Sequence, residues 1–176
     1  HLSIRRQRQM CIRDRQKKSD PVLEIEKDIE RLKVITDRFS KVGSTPDLTP
    51  SDLIETINNT VGYLQKRSSE HVNFNLDLPE EGIIIPFNSQ LISWTIENLI
   101  KNGIDAMKGK GTISLRINEM DHKVEILISD TGMGMPKEIA SKIFAPGFTT
   151  KSRGWGLGLS LARRIIVDFH QGKINV

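Results

Sequence analysis

Cysteine is nearly absent: Cys11 is the only one in 176 residues, so the chain forms no internal disulfide, and no Cys/His cluster has zinc-ligand spacing. A lone thiol fits a reducing compartment. Nowhere does an apolar run approach the ~20 residues of a membrane helix, and the first residues lack a signal peptide's apolar stretch. There is no internal repeat and no low-complexity tract. These absences predict a soluble, cytoplasmic chain and leave the membrane anchoring of any longer protein open. With 37% hydrophobic and 27% charged residues, the chain has enough apolar content for one real core and an appended helix.

A basic groove for nucleic acid is missing too, despite a pI of about 9.3. Arg5, Arg6, Arg8, Arg13, Arg15, Lys17 and Lys18 against Asp14 give residues 1–18 a charge of +6; with +4 overall, the remainder carries −2. A mildly acidic body argues against a nucleic-acid partner. Within that basic segment Met10–Arg15 resembles translated adapter DNA, and residues 1–16 are read as a non-native or disordered stretch outside the fold.

From Pro21 to Phe39, Val22, Ile25, Ile29, Leu32, Ile35 and Phe39 recur at three- and four-residue steps among charged residues, the stripe of an amphipathic helix. A helical stub over 17–44 follows from this, closed by Gly43 and Pro46. Thr49, Pro50 and Asp52 offer an N-cap, a first-turn proline and a first-turn acid, which predicts a helix from Thr49 to about Ser68. Val72–Leu78 alternates and Ile83–Ile85 is a short apolar run, so both read as strands. Asn88–Met107 returns to helical period, with Ile96, Leu99, Ile100, Gly103, Ile104 and Met107 on one face. Strands follow at Thr112–Asn118 and Lys123–Ser129, then a glycine-rich loop, a brief helix at 137–143, an irregular stretch to Gly154, a helix at 157–168 and the start of a strand at Lys173. Helices and strands without strict alternation predict an α/β sandwich: one mixed sheet covered by helices on one face.

Four segments carry chemistry. On the 88–107 helix, Asn98, Asn102 and Asp105 sit at i, i+4 and i+7 and form one polar stripe; an Asn carbonyl and a nearby carboxylate suit Mg2+, which takes few protein oxygens. Taken alone, the stripe reads equally as a solvated helix face. Asp130-Thr131-Gly132-Met133-Gly134 ends a strand, where a buried carboxylate could accept an adenine amino hydrogen and the glycines let backbone approach a ring; a simple Asp/Gly turn fits as well. Gly154-Trp155-Gly156-Leu157-Gly158 runs into a helix start, where free N–H groups and the positive dipole end favour phosphate. Between them, residues 143–151 have two phenylalanines and no period, which suits either a lid or a core-anchored loop over about 136–155.

Together and in this order, Glu97-Asn-Leu-Ile-Lys-Asn-Gly-Ile-Asp-Ala106, Asp130-Thr-Gly-Met-Gly-Met135, Ile143-Phe-Ala-Pro-Gly-Phe-Thr-Thr-Lys151 and Gly154-Trp-Gly-Leu-Gly-Leu-Ser-Leu-Ala162 resemble the N, G1, F and G2 boxes of sensor histidine kinases. The resemblance covers Leu48–Val176, and Arg38–Gly43 looks like the end of the family's dimerisation and phosphoacceptor domain. It implies a Bergerat-type two-layer α/β sandwich over 48–176, cut short at its C-terminal side, that binds Mg-ATP. Asn102 would ligate Mg2+ with Asn98 and Asp105 beside it, Asp130 would bind adenine N6, and Gly132 and Gly134 would shape the adenine pocket. Thr150, Lys151, Gly154, Gly156, Leu157 and Gly158 would form the lid end and the phosphate contacts. Implied partners are a phosphoacceptor histidine domain of the same, homodimeric kinase and a downstream response regulator.

The resemblance has departures. No histidine followed by an acid lies on a predicted helix, so the chain is expected to lack its own phosphoacceptor. Gly103 stands where the family more often has Ala, a change expected to cost little. The superfamily's ATPases keep a Glu four residues before the metal Asn; here that residue is Asn98, which cannot take a proton, so phosphoryl transfer to histidine is favoured over hydrolysis. A GHKL-type ATPase and a non-catalytic ATP-binding module are the competing readings.

Overall fold

The computed structural model describes residues 46–151 and 155–176, together with Ile25 and Ile29. The chain divides into two compact units at Thr45/Pro46. In the first, Ile25 and Ile29 are helical and exposed; the remainder of the expected 21–39 stripe, of the 17–44 stub and of segment 1–16 lies outside the described residues.

In the second unit, the first helix does not start at Thr49. Residues Thr49–Asp52 form strand β1, and helix α1 runs over Leu53–Gln65. Asp52 is the N-cap: its Oδ1 accepts from the backbone N–H of Ile54 at 2.8 Å and of Glu55 at 3.3 Å. The local pattern suited a cap at Thr49, but β1 pairs antiparallel with β3, Ile84–Phe87, and Leu53 N–H donates to Ile83 O. These partners are distant in sequence and satisfy backbone groups that a helix would have used. Pro50 faces Pro86 in this ribbon. Lacking N–H groups, two facing prolines confine the pairing to a short two-stranded piece.

The main sheet is mixed, in the order β2-β4-β5: β2 (Val72–Asp77) is parallel to β4 (Gly111–Met120), and β4 is antiparallel to β5 (Lys123–Asp130). Its rows Phe74/Ile113/Asp130 and Leu76/Leu115/Ile128 share one face, whose members Ile113, Leu115 and Ile117 are buried. Exposed Asn73, Asn75 and Asp77 take the other face. Helix α2 (Ser89–Ala106) is central, buries Leu91, Ile92, Thr95, Ile96, Ile100 and Gly103, and contacts β4, β5, α1 and the C-terminal helix. The expected mixed sheet covered by helices is present, with β1 and β3 set apart as a ribbon.

A short α3 spans Lys137–Ala140. Turns follow it to Gly147 and Ile143 is buried, so this stretch is less irregular than its sequence suggests. Helix α4, Gly158–Arg164, passes into a π turn at Ile165–Phe169. His170 ends it: Nδ1 donates to Ile165 O at 2.7 Å, and Nε2 accepts from Asn88 N–H at 3.1 Å. The α4 terminus is thereby tied to the N-cap of α2. Residues 173–176 form no strand, since none of the described strands pairs with them. No helix among the described residues is long and apolar enough to cross a membrane.

Asp52→Ala is expected to lower unfolding free energy by about 1–2 kcal/mol, the scale of a lost N-cap, with Asp52→Asn retaining most of it. Urea denaturation of the three proteins, read as a midpoint shift at constant slope, checks this.

Candidate functional site

The site forms where α2 crosses the end of the main sheet. Gly103 is the point of contact: a Cβ there would lie 2.8 Å from Ile113 Cδ1 and 3.0 Å from Asp130 Cβ. Glycine costs a helix about 1 kcal/mol relative to alanine, yet here it permits the approach. An alanine there would displace the terminal methyl of Ile113, a shift that a flexible side-chain end can make.

Asp130 closes β5 opposite Ile113. Its Oδ1 accepts the Gly132 N–H at 2.8 Å, and Oδ2 lies toward Gly103. A buried carboxylate was expected here, but Asp130 is exposed, because the following loop turns outward with Met133 83% and Met135 46% exposed. Gly132 packs so closely on α2 that a Cβ would sit 2.8 Å from the carbonyl carbon of Ala106. Gly134, at φ 64°, adopts the left-handed conformation with open space around it.

Thr131, to which the motif assigns no role, holds this loop. Its N–H donates to Thr112 O, its Oγ1 accepts the Thr112 N–H at 3.0 Å, and its hydroxyl donates to Met107 Sδ at 3.3 Å. A hydroxyl-bearing residue after a strand-ending Asp is the only sequence signal for it.

The polar stripe on α2 meets the loop that ends at Lys151 and the start of α4. The Lys151 ammonium donates to Asn102 Oδ1 at 2.8 Å and to Asp105 Oδ2 at 2.6 Å. Gly158, the first residue of α4, faces Asn98, with Oδ1 3.4 Å from where a Cβ would be. Leu157 precedes it as the cap residue, and its carbonyl accepts from Leu161 N–H and the Ser160 hydroxyl. Gly156, at φ 65°, packs on the other loop: a Cβ would lie 2.4 Å from the carbonyl carbon of Gly147, whose N–H donates to Gly156 O. Thr150 is exposed beside Lys151. Gly154 lies outside the described residues.

Glu97 points elsewhere and pairs with Lys101 at 2.5 Å. A groove of about 240 Å³ between α1 and α2, lined by Tyr63, Arg67 and Lys101, touches the stripe only at Asp105. The motif residues converge instead at the open rim, where Asn98, Asn102 and Asp105 meet Lys151 and Gly158. Among the described residues no three His, Cys, Asp or Glu side chains could hold a metal together. A divalent ion at the stripe would therefore draw mainly on phosphate and water, as Mg2+ ordinarily does.

Residues 88–176 match the model of the histidine kinase-, DNA gyrase B-, and HSP90-like ATPase family. The chain is 33% identical over 138 residues to the sensor protein TdiS of Thauera aromatica, covering 74% of this chain and 25% of TdiS. It is 34% identical over 126 residues to sporulation kinase A of Bacillus subtilis, covering 72% and 19%. It thus spans about a quarter or less of these relatives' length. The solved, nucleotide-free catalytic domain of histidine kinase ThkA superposes with a TM-score of 0.68 at 32% identity, over 73% of this chain and 86% of that one. ThkA in complex with the response regulator TrrA gives 0.68 at 25% identity, over 92% and 49%.

Because a methyl group at Gly132 would meet α2 backbone, Gly132→Ala should lose about 1–3 kcal/mol of stability, the range of overpacking. Chemical denaturation tests it; unchanged stability would mean that the loop does not press on Ala106.

Proposed function

This chain belongs to the histidine kinase-, DNA gyrase B-, and HSP90-like ATPase family, and we propose that it is the catalytic domain of a two-component sensor kinase, transferring the γ-phosphate of ATP to a histidine on a phosphoacceptor domain. Family membership implies ATP binding. The observation that carries the reading is the convergence on α2: Asp130 beside Gly103 and Lys151 on Asn102 and Asp105 near its C-terminal end, and Gly158 beside Asn98 near its middle.

In this reading Asp130 Oδ2 accepts the adenine amino hydrogen while Gly132 N–H holds Oδ1, and Gly132 and Gly134 admit the ring. Asn102, with Asn98 and Asp105 beside it, holds Mg2+. The donor set fits, since Asn102 and Asp105 already share a cation, the Lys151 ammonium. Bound Mg2+ would neutralise charge on the β- and γ-phosphates. Gly156, Leu157 and Gly158 offer backbone N–H groups to the phosphates, with Thr150 and Lys151 approaching from the adjacent loop; Gly154 joins them by its place in the motif alone. The chain's own contribution is positioning and charge compensation, and the nucleophile is an imidazole that needs no further activation.

Hydrolysis lacks its base. Asn98 is an amide, and Glu97 is held by Lys101 on another side of the helix. We further assign residues 48–176 to the catalytic domain, 17–44 to the end of a dimerisation domain that makes the kinase a homodimer, and 1–16 to neither. A response regulator receives the phosphoryl group, as the ThkA–TrrA complex suggests, and ATP dependence puts the domain in the cytoplasm.

Asp130→Asn should weaken Mg-ATP binding by about 1.5–3 kcal/mol, the scale of a charge-assisted hydrogen bond; equal affinity by calorimetry would remove Asp130 from the site. With labelled ATP the chain alone should release negligible phosphate yet label a supplied histidine-bearing helix pair, and Asn102→Ala should abolish that labelling. Robust phosphate release without an acceptor would defeat the kinase reading.

A further inference from the structure

Lys151 is the side chain whose place the nucleotide reading does not explain. Its ammonium is not turned outward toward an incoming phosphate; it sits on α2, 2.8 Å from Asn102 Oδ1 and 2.6 Å from Asp105 Oδ2. The backbone holds it there, with the Lys151 N–H on Thr149 Oγ1 at 3.1 Å and Gly147 N–H on Gly156 O at 3.1 Å. The neighbouring cation on α2, Lys101, is engaged by Glu97 at 2.5 Å, so Lys151 supplies the positive charge that Asp105 meets.

We propose that Lys151 is a resident counter-cation that closes the 147–151 loop onto α2 in the nucleotide-free domain, and that a divalent metal must expel it to reach Asn102. The inference rests on the proposed metal role of Asn102. Two hard oxygens around a positive charge are what Mg2+ seeks, but Mg2+ binds at about 2.0–2.1 Å, and an ammonium on the same oxygen would leave two cations within a few ångströms. Occupancy is exclusive. Asp105 thereby gains a role that metal ligation alone does not give it: it sets how firmly the loop is latched. Expulsion also delivers the ammonium to where phosphate oxygens arrive, so one lysine serves the empty and the loaded site in turn. Both partners are partly exposed, Lys151 at 42% and Asp105 at 58% of their side chains, so the latch is weak by design of its surroundings. Competition of this kind scales apparent metal affinity by the fraction of unlatched molecules, a loss of roughly three- to fivefold for a pair of this exposure.

The test titrates Mn2+ alone, without nucleotide, into the full chain and follows free Mn2+ by electron paramagnetic resonance. Lys151→Met should bind Mn2+ roughly three- to fivefold more tightly than wild type, Lys151→Arg should not, and adding Asp105→Asn to Lys151→Met should cancel the gain. Equal affinity of wild type and Lys151→Met, or no Mn2+ binding by either, overturns the proposal. A second readout needs no variant: acetylation of the Lys151 amine should be slow in the free chain and accelerate at saturating Mn2+, and a rate indifferent to Mn2+ also overturns it. Nucleotide binding in chelator, measured on the same samples, separates the two readings. Its absence would count against the ATP assignment alone, and the Mn2+ arms would still decide the latch.

Discussion

The close approach of α2 to the β4–β5 end of the sheet is the constraint on which the site depends. Gly103 lets the side chains of Ile113 and Asp130 lie directly against the helix, and Gly132 leaves no room for a Cβ where the loop meets the backbone of Ala106. Two glycines, neither with a positive φ, therefore fix the distance between a helix and a carboxylate. Their conservation of space is what matters, and their backbone freedom is incidental. Once α2 is seated this closely, Asp130 stands beside the helix that carries Asn98, Asn102 and Asp105, and a ligand held by one is within reach of the other.

The remaining contacts lock that geometry from both ends. Asn88 caps α2 by accepting from Leu91 N–H, and its own N–H goes to His170, so the helix start is tied to the end of α4. At the other end Thr131 binds Met107 and Thr112. The bonds of Asn88 to Leu91 and His170 and of Thr131 to Met107 are part-buried, whereas the Thr131–Thr112 bond and the Lys151 pair at the rim are exposed. Such a gradient lets the loop move at small cost while the helix and sheet stay in register.

Much of this was legible in the sequence because its signals are local. The period of residues 88–107 gave α2 to within a residue or two at either end, and the alternation of Val72–Leu78 gave β2. The first helix was placed three or four residues too early, since Thr49, Pro50 and Asp52 make a sound capping pattern and only the distant strand Ile84–Phe87 shows that Asp52 is the cap. The exposure of Asp130, the close contact of Gly103 with Ile113 and the Lys151 pair each depend on residues brought together from far along the chain. The order of motifs said which residues share a site, Lys151 among them; it could not say that this lysine pairs with Asn102 and Asp105.

Seating α2 on Gly103 also decides which chemistry the helix offers. At about 100° per residue, Asn102, Asn98 and Asp105 lie roughly 100°, 140° and 160° to one side of Gly103, a single edge of the helix. Glu97 lies roughly 120° to the other side by the same count. The carboxylate that could have served as a base is thus carried away from the stripe by the rotation that buries Gly103, and Lys101, one turn on, holds it there. Bringing Glu97 to the stripe would require turning α2 by about 100°, which would drive side chains into Ile113 and Asp130. The packing of one glycine therefore keeps the amide of Asn98, and not the Glu97 carboxylate, on the edge of the stripe, and under the proposed kinase reading a phosphoryl group bound there would wait for a nucleophile from another domain.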